Sequence, residues 1–339
     1  MITSLGVHRS IDPPGVLPQA ARRLDPSLPI RANEILVDVE RLNVDAASFL
    51  EFEKLASAAG VAVEHMILDT VRDLGKLQNP VTGSGGMLIG AVREIGSELR
   101  PRLDLEEGTR IASLVSLTLT PLHLDSIGVA DAKTHQVEAR GHAILFERSL
   151  WAPVPDDLPE NLALAIFDVA GAPAMVDRLV TRDDDVLVVG CGKAGLLSLA
   201  RARARAARVF AIDARHEAVE AVRELGLADR AAVVDATDGV AVSDTVARWT
   251  LNRMCTKVFN FASGPGTEAA SILAAKDGGT VLFFGMATSF SRAALTAEGV
   301  GKDVEMRIGS GYVPGWTDVA LATVRDDPAL RRHLELLYV

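Results

Sequence analysis

The residues best spaced for chemistry lie in Val186–Asp213, VLVVGCGKAGLLSLARARARAARVFAID. The turn Gly190-Cys191-Gly192-Lys193-Ala194-Gly195 has G-x-G-x-x-G spacing. An acid, Asp213, stands about 20 residues beyond its first glycine, as a dinucleotide fingerprint asks. The first glycine permits the tight turn, the second lets backbone approach a pyrophosphate, and the third lets the helix pack on its strand. The helix N-terminus then offers free N–H donors and a positive dipole end to phosphates. Asp213 would accept hydrogen bonds from the adenosine ribose, which favours NAD over NADP. Arg215 could stack on adenine or contact a 2′-phosphate, but Asp213 would repel that phosphate. Lys193 could reach the pyrophosphate or only solvent. Cys191 is small enough for its place, which needs no reactive thiol. The competing reading is a strand-to-helix turn in another doubly wound fold, such as a methyltransferase.

Strand and helix patterns alternate around this turn. Strands are predicted at Val186–Val189, Val209–Ile212, Ala231–Val234, Lys257–Phe261, Thr280–Phe284 and Glu305–Ile308. Helices are predicted at Ala194–Ala206, Glu217–Leu225, Ser243–Met254 and Thr267–Ala275. Such alternation gives a doubly wound parallel α/β sheet of Rossmann type. Earlier in the chain the pattern differs. Residues 1–30 are proline-rich and read as irregular. Asn33–Val44 alternates as a strand, Phe49–Leu77 has helical spacing with a break at Gly60, and strands follow over Met87–Ile95, within 104–120 and at His142–Phe146. Pro153–Pro159 marks a join, followed by one helix over Glu160–Leu179. The expected domains are a mostly β domain over 1–155 with a helical insert at 49–77, a dinucleotide domain over 156–312, and a helical tail over 313–339.

The 339 residues suffice for two cores, and 48% hydrophobic with 24% charged residues is ordinary for a globular protein. A net charge of −10 argues against a nucleic-acid partner. The arginines at 201, 203, 205 and 208 read as a solvated helix face. Cys191 and Cys255 form no C-x-x-C pair, which suits a reducing cytoplasm. The N-terminus lacks signal-peptide order, and no apolar run reaches the ~18 residues of a membrane span.

A β domain followed by a Rossmann domain resembles the medium-chain dehydrogenase/reductase superfamily, whose first domain is GroES-like. The segments NEILVDVERLNV, GGMLIGAVREIG and LEEGTRI carry that resemblance. Ser263–Gly264, Gly285–Met286 and Ser310–Gly311 follow Rossmann strands, where that superfamily's loops touch the nicotinamide half. The opening GVHRSIDPPGVLPQAARRLD, the loop LQNPVTGSGGMLIG and the run IASLVSLTLTPL resemble the L-erythro-3,5-diaminohexanoate dehydrogenase family of lysine fermentation. That resemblance implies NAD-dependent oxidative deamination of a small diamino acid, giving 5-amino-3-oxohexanoate, ammonia and NADH. It also implies a homodimer built through the Rossmann sheet edges. The alternatives are a zinc-independent quinone or enone reductase preferring NADPH, and a dinucleotide-binding protein without catalysis.

By rough alignment, Asp45, Gly86, Met87 and Asp168–Val169 stand where zinc-dependent members carry catalytic ligands, so no zinc trio survives. Hydride transfer from an amine needs no Lewis acid once the nitrogen lone pair is free. The reaction needs a base, an anionic setting for ammonium groups and a cation for the carboxylate. Asp45 and Asp168 are the carboxylate candidates, or else a surface acid or a cap. Glu147 is a third, or a surface acid. Lys76 could bind the substrate carboxylate, or be a solvated helix-end lysine. Asn79, Thr82 and Ser84 could orient substrate, or serve turn chemistry alone. His123 and His142 could shuttle protons, or be packed at strand ends.

Overall fold

The apolar run Leu187–Val189 is buried because helices cover both faces of the sheet it centres. The computed structural model describes residues 4–285, 287–309 and 312–339. The chain divides into two units, residues 1–168 with 337–339, and residues 169–336. The sequence boundary at 155 falls ahead of the helix Glu160–Phe167, which belongs to the first unit.

The first unit begins with β1 (Ser10–Asp12) and β2 (Arg23–Leu24), a short antiparallel pair. It continues through β3 (Glu34–Asn43), α1 (Ala46–Ala59), α2 (Val63–Leu74), β4 (Met87–Ile95), β5 (Arg110–Ser113), β6 (Leu122–Ile127), β7 (Gln136–Phe146), β8 (Trp151–Pro153) and α3 (Glu160–Phe167). Six strands form an antiparallel sheet in the order β6-β7-β3-β4-β5-β8. The insert splits at Gly60, whose φ of 69° ends α1 in a left-handed cap. Phe49, Phe52, Ile67 and Val71 turn its apolar faces into the core formed by Val37, Val39 and Leu88. The insert is therefore part of this domain's core.

The N-terminal segment is irregular, as its composition predicts, apart from β1 and β2, yet it is held in place by buried charge. Glu34, fully buried, accepts from Arg9 Nε at 2.8 Å and Nη2 at 2.6 Å, and from the Arg31 N–H at 2.7 Å. His8 Nε2 lies 2.6 Å from the same carboxylate. Arg9 also donates to the carbonyl of Ser27 at 2.6 Å. Burial opposes the charge on Glu34, but these donors outweigh it and hold the carboxyl at about 2.

The second unit runs α4 (Gly171–Leu179), β9 (Asp185–Val189), α5 (Lys193–Arg203), β10 (Arg208–Asp213), α6 (His216–Glu224), β11 (Arg230–Val233), α7 (Gly239–Thr250), β12 (Cys255–Asn260), α8 (Glu268–Ala274), β13 (Ala275–Phe283), α9 (Phe290–Gly299), β14 (Val304–Ile308) and α10 (Trp316–Arg325). A last helix, α11 (Pro328–Tyr338), ends the chain. The sheet is parallel, in the order β11-β10-β9-β12-β13-β14. Strand order reverses between β9 and β12, where doubly wound sheets bind ligands at their carboxyl ends. The single helix expected over Glu160–Leu179 is two. Pro173 has no N–H for the carbonyl of Val169, and that carbonyl accepts from Ala172 instead.

Replacing Glu34 by Gln leaves Arg9 buried without its countercharge and should cost about 3–5 kcal/mol. Because folding lowers this carboxyl from 4.5 to about 2, its contribution is full above pH 4.5 and fades as pH falls through 2. Urea unfolding of wild type and Glu34→Gln across this range should show their difference shrinking toward acid. A constant difference would contradict the assignment.

Candidate functional site

Three glycines shape the turn from β9 to α5. Gly190 has φ of 92°, and a Cβ there would stand 2.8 Å from the Ala262 amide nitrogen after β12. A Cβ on Gly195 would collide with the carbonyl oxygen of Gly190, so only glycine lets α5 pack this close. Gly192 caps α5, and a Cβ on it would meet nothing nearer than Arg215 Nη2 at 3.9 Å. The side facing Gly192 is thus open to an approaching phosphate. Lys193, Ala194 and Gly195 form the first turn of α5, whose amides have no acceptor within the helix. These residues fit a pyrophosphate.

The Asp213 carboxylate ends β10 and holds this turn in place. Its Oδ2 accepts the Cys191 N–H at 2.7 Å, and its Oδ1 accepts the Arg215 N–H at 2.8 Å. The Arg215 guanidinium lies farther off, at 3.3 Å from Oδ1 and 3.5 Å from Oδ2. Asp213 therefore presents an anion beside the open glycine turn while anchoring its backbone. Burial, followed by the charge of Asp213, pushes the Cys191 thiol up to about 12. The thiol points to the carbonyl of Ile212 at 3.5 Å, so this cysteine fills space and stays protonated.

Loops after β12 and β13 carry the other predicted cofactor residues. Asn260, buried at the end of β12, donates to Thr267 Oγ1 at 2.9 Å and Ser271 Oγ at 2.8 Å, and accepts the Ala262 N–H at 3.0 Å. It fixes the loop that contains Ser263 and Gly264. Glu268, also buried, accepts the Ser289 N–H at 2.7 Å and pairs with Arg292 at 3.4 Å. Gly285 lies against this region, since a Cβ on it would stand 2.6 Å from the Ala262 carbonyl oxygen. Ser310, Gly311 and Met286 lie outside the described residues. The sequence reading passed over Asn260 and Glu268. A lone amide ending an apolar strand was the available signal.

In the first unit, several candidates gather at the start of α1. Asp45 is its N-cap, and Oδ1 accepts the Ser48 N–H at 2.9 Å. Asp45 Oδ2 is buried with no hydrogen-bond partner. Asn79 bridges the loop and α1. It donates to the Ser48 carbonyl at 3.1 Å and accepts from the amides of Val81 at 2.8 Å and Thr82 at 3.1 Å. The Thr82 hydroxyl meets Ser48 Oγ at 2.5 Å and accepts the Ser84 N–H at 3.3 Å. Asn79 and Thr82 thus act as a clamp between the loop and α1, with Ser84 at the loop's end.

Other candidates lie apart from this group. Lys76 is buried, donating to the carbonyls of Ala21 at 2.5 Å and Pro18 at 3.3 Å, so it anchors the N-terminal segment rather than offering a solvated cation. Glu147 pairs with Arg102. Asp168 ends α3, its N–H donating to the Leu164 carbonyl at 3.0 Å. His142 hydrogen-bonds the Pro26 carbonyl at 2.8 Å, its pKa lowered mainly by burial, and His123 pairs with Asp125 at 3.1 Å. Among the described residues, no three His, Cys, Asp or Glu side chains gather as metal ligands.

Burial lowers Lys76 from 10.5 to about 8. Between those values the unfolded chain binds more protons, so this residue makes stability rise with pH across that window. Denaturant unfolding of wild type and Lys76→Met from pH 7 to 10 should show the rise only in wild type. Parallel profiles would place the lysine in a solvated setting.

A family model described as the L-erythro-3,5-diaminohexanoate dehydrogenase N-terminal domain matches residues 8–155. An L-erythro-3,5-diaminohexanoate dehydrogenase of Acetoanaerobium sticklandii is 43% identical over 338 residues, covering 98% of each chain. One of Fusobacterium nucleatum is 41% identical over the same length and coverage. A mycobacterial quinone oxidoreductase structure aligns with a TM-score of 0.57 at 18% identity, covering 94% of this chain and 92% of that one. An alcohol dehydrogenase from Thermus sp. ATN1 aligns with a TM-score of 0.51 at 18% identity, covering 94% and 85%. These structures show the medium-chain dehydrogenase/reductase fold, and the sequence relatives place the chain within it: it belongs to the L-erythro-3,5-diaminohexanoate dehydrogenase family.

Proposed function

We propose that this chain catalyses NAD-dependent oxidative deamination of L-erythro-3,5-diaminohexanoate at C3. The products are 5-amino-3-oxohexanoate, ammonium, NADH and a proton. The carrying observation is family membership at 43% identity across the chain, joined to a glycine turn anchored by Asp213. NAD, when bound, would supply the acceptor for the C3 hydride. The protein must first take a proton from the C3 ammonium, so that the nitrogen lone pair can push the hydride out. The resulting iminium adds water at carbon, and ammonia leaves as the carbonyl forms. Asp45 and Asp168 are the carboxylates proposed to serve the ammonium groups.

Several features support the finer points. The Asp213 carboxylate favours a free ribose over a 2′-phosphate, hence NAD over NADP. The residues standing at the superfamily's catalytic zinc positions, Asp45, Gly86, Met87 and Asp168–Val169, include two carboxylates and no third ligand, which supports a zinc-independent reaction. Strand β14 has a neighbour on one side only, and Ile308 on it is 75% exposed, which supports a homodimer joined at that edge. A net charge of −10 suits neither nucleic acid nor an anionic membrane surface. No helix among the described residues is long and apolar enough to cross a membrane. Two buried free cysteines suit the reducing cytoplasm, where lysine fermentation would take place.

Purified protein with NAD and 3,5-diaminohexanoate should form NADH and ammonia in equal amounts, followed at 340 nm and by ammonia assay. Tight NADH binding without turnover would sink the substrate assignment and spare the cofactor site. Asp213→Ala removes a charged acceptor and should weaken NAD binding by about 1–3 kcal/mol. Calorimetric titration showing unchanged affinity would refute the role given to Asp213.

A further inference from the structure

Arg215 is the N-cap of α6, a position that favours serine, threonine, aspartate and asparagine because their oxygens accept a helix amide. A guanidinium has donors only, and the Arg215 side chain caps nothing here. It bends instead toward the glycine turn. Its Nη2 stands 3.9 Å from where a Cβ on Gly192 would be, and Gly192 is the N-cap of α5. One cation therefore lies beside the starts of two helices, whose dipoles favour an anion there.

Asp213 holds this cation incompletely. Each of its oxygens already takes a backbone amide, Oδ2 from Cys191 at 2.7 Å and Oδ1 from Arg215 at 2.8 Å. The guanidinium is left with contacts of 3.3 and 3.5 Å, beyond the usual length of an N–H···O bond. The Arg215 side chain is 57% exposed, whereas that of Asp213 is 9% exposed. The Arg215 amide ties its own backbone to Asp213, so the side chain can turn while the chain stays in place.

We infer that Arg215 changes partner when the dinucleotide binds: it yields Asp213 to the adenosine ribose and takes the pyrophosphate that packs on Gly192. This exchange rests on the reading of the turn as a dinucleotide site and adds a positioning residue to it. Ribose hydroxyls are donors and suit the carboxylate. Pyrophosphate oxygens are acceptors and suit the guanidinium and the first amides of α5 alike. The place of the guanidinium decides its role, because the second glycine of such a turn is where backbone meets pyrophosphate rather than adenine or a 2′-phosphate. After the exchange the cation no longer stands against two helix starts without an anion of its own.

The test titrates wild type, Arg215→Gln and Arg215→Lys with NADH, NADPH and ADP-ribose by calorimetry, and with adenosine in competition against NADH. Melting temperature checks folding. Arg215→Gln should weaken NADH and ADP-ribose by roughly tenfold or more, as for a lost hydrogen bond to a charged group, and leave adenosine as tight or tighter. NADPH should weaken by the same factor as NADH. Arg215→Lys should recover part of the loss, since the charge returns. A loss shared by adenosine would make the arginine a platform for adenine. A loss confined to NADPH would make it a partner for the 2′-phosphate. Unchanged or tighter NADH binding would make it a bystander or an obstacle. Each of these three results overturns the exchange and spares the cofactor site. If wild type binds neither NADH nor ADP-ribose, the reading of the turn as a dinucleotide site falls first and the exchange falls with it.

Discussion

The hydrogen bond from the Cys191 amide to the Asp213 carboxylate is the contact on which the shape of the second unit's glycine turn depends. It joins the turn after β9 to the end of β10. Gly190 presses against the chain leaving β12, so all three strands at the order reversal are locked together. With the turn fixed, the first amides of α5 face one direction and the dipole of the helix adds to them. The carboxylate serves two ends. It pins backbone through one donor and keeps negative charge where a ribose would sit. Arg215, at 3.3 and 3.5 Å, is held loosely enough to be displaced by hydroxyls.

The first unit treats buried charge by saturation. Glu34 collects Arg9, His8 and a backbone amide, and Lys76 spends its protons on two carbonyls. Both side chains secure the N-terminal segment against the β domain and its helical insert. Asn79 does the same for the 79–84 loop, its oxygen accepting twice and its amide donating once. Against that background the unpartnered Oδ2 of Asp45 stands out by its chemistry.

The two kinds of structure were unequally legible. The glycine spacing, the acid beyond it and the alternating strands predicted the Rossmann sheet because each is a local, periodic signal. The insert and its break at Gly60 were legible for the same reason. The fixed N-terminal segment was not, because the Arg9–Glu34 pair has no period and joins residues far apart in sequence. β6 and α9 were missed, and so was the division between α3 and α4 ahead of Gly171. Residue type drew attention to Asn79, Thr82 and Lys76. Type alone could not say that their polar atoms are committed to backbone and to Ser48.

Asp45 shows how far a capping role can explain a carboxylate. A cap needs one acceptor, and serine, threonine or asparagine supplies it as well as aspartate does. Aspartate adds the dipole attraction of a negative charge to a helix start, at most about 1 kcal/mol where exposed. Asp45 keeps its second oxygen buried without a donor, and desolvating such an atom costs more than that gain. Capping therefore accounts for Oδ1 and leaves Oδ2 unexplained. Under the proposed function, a substrate ammonium would account for Oδ2. It would meet the second oxygen while the helix amide holds the first, so the geometry of the carboxylate is set before the ligand arrives.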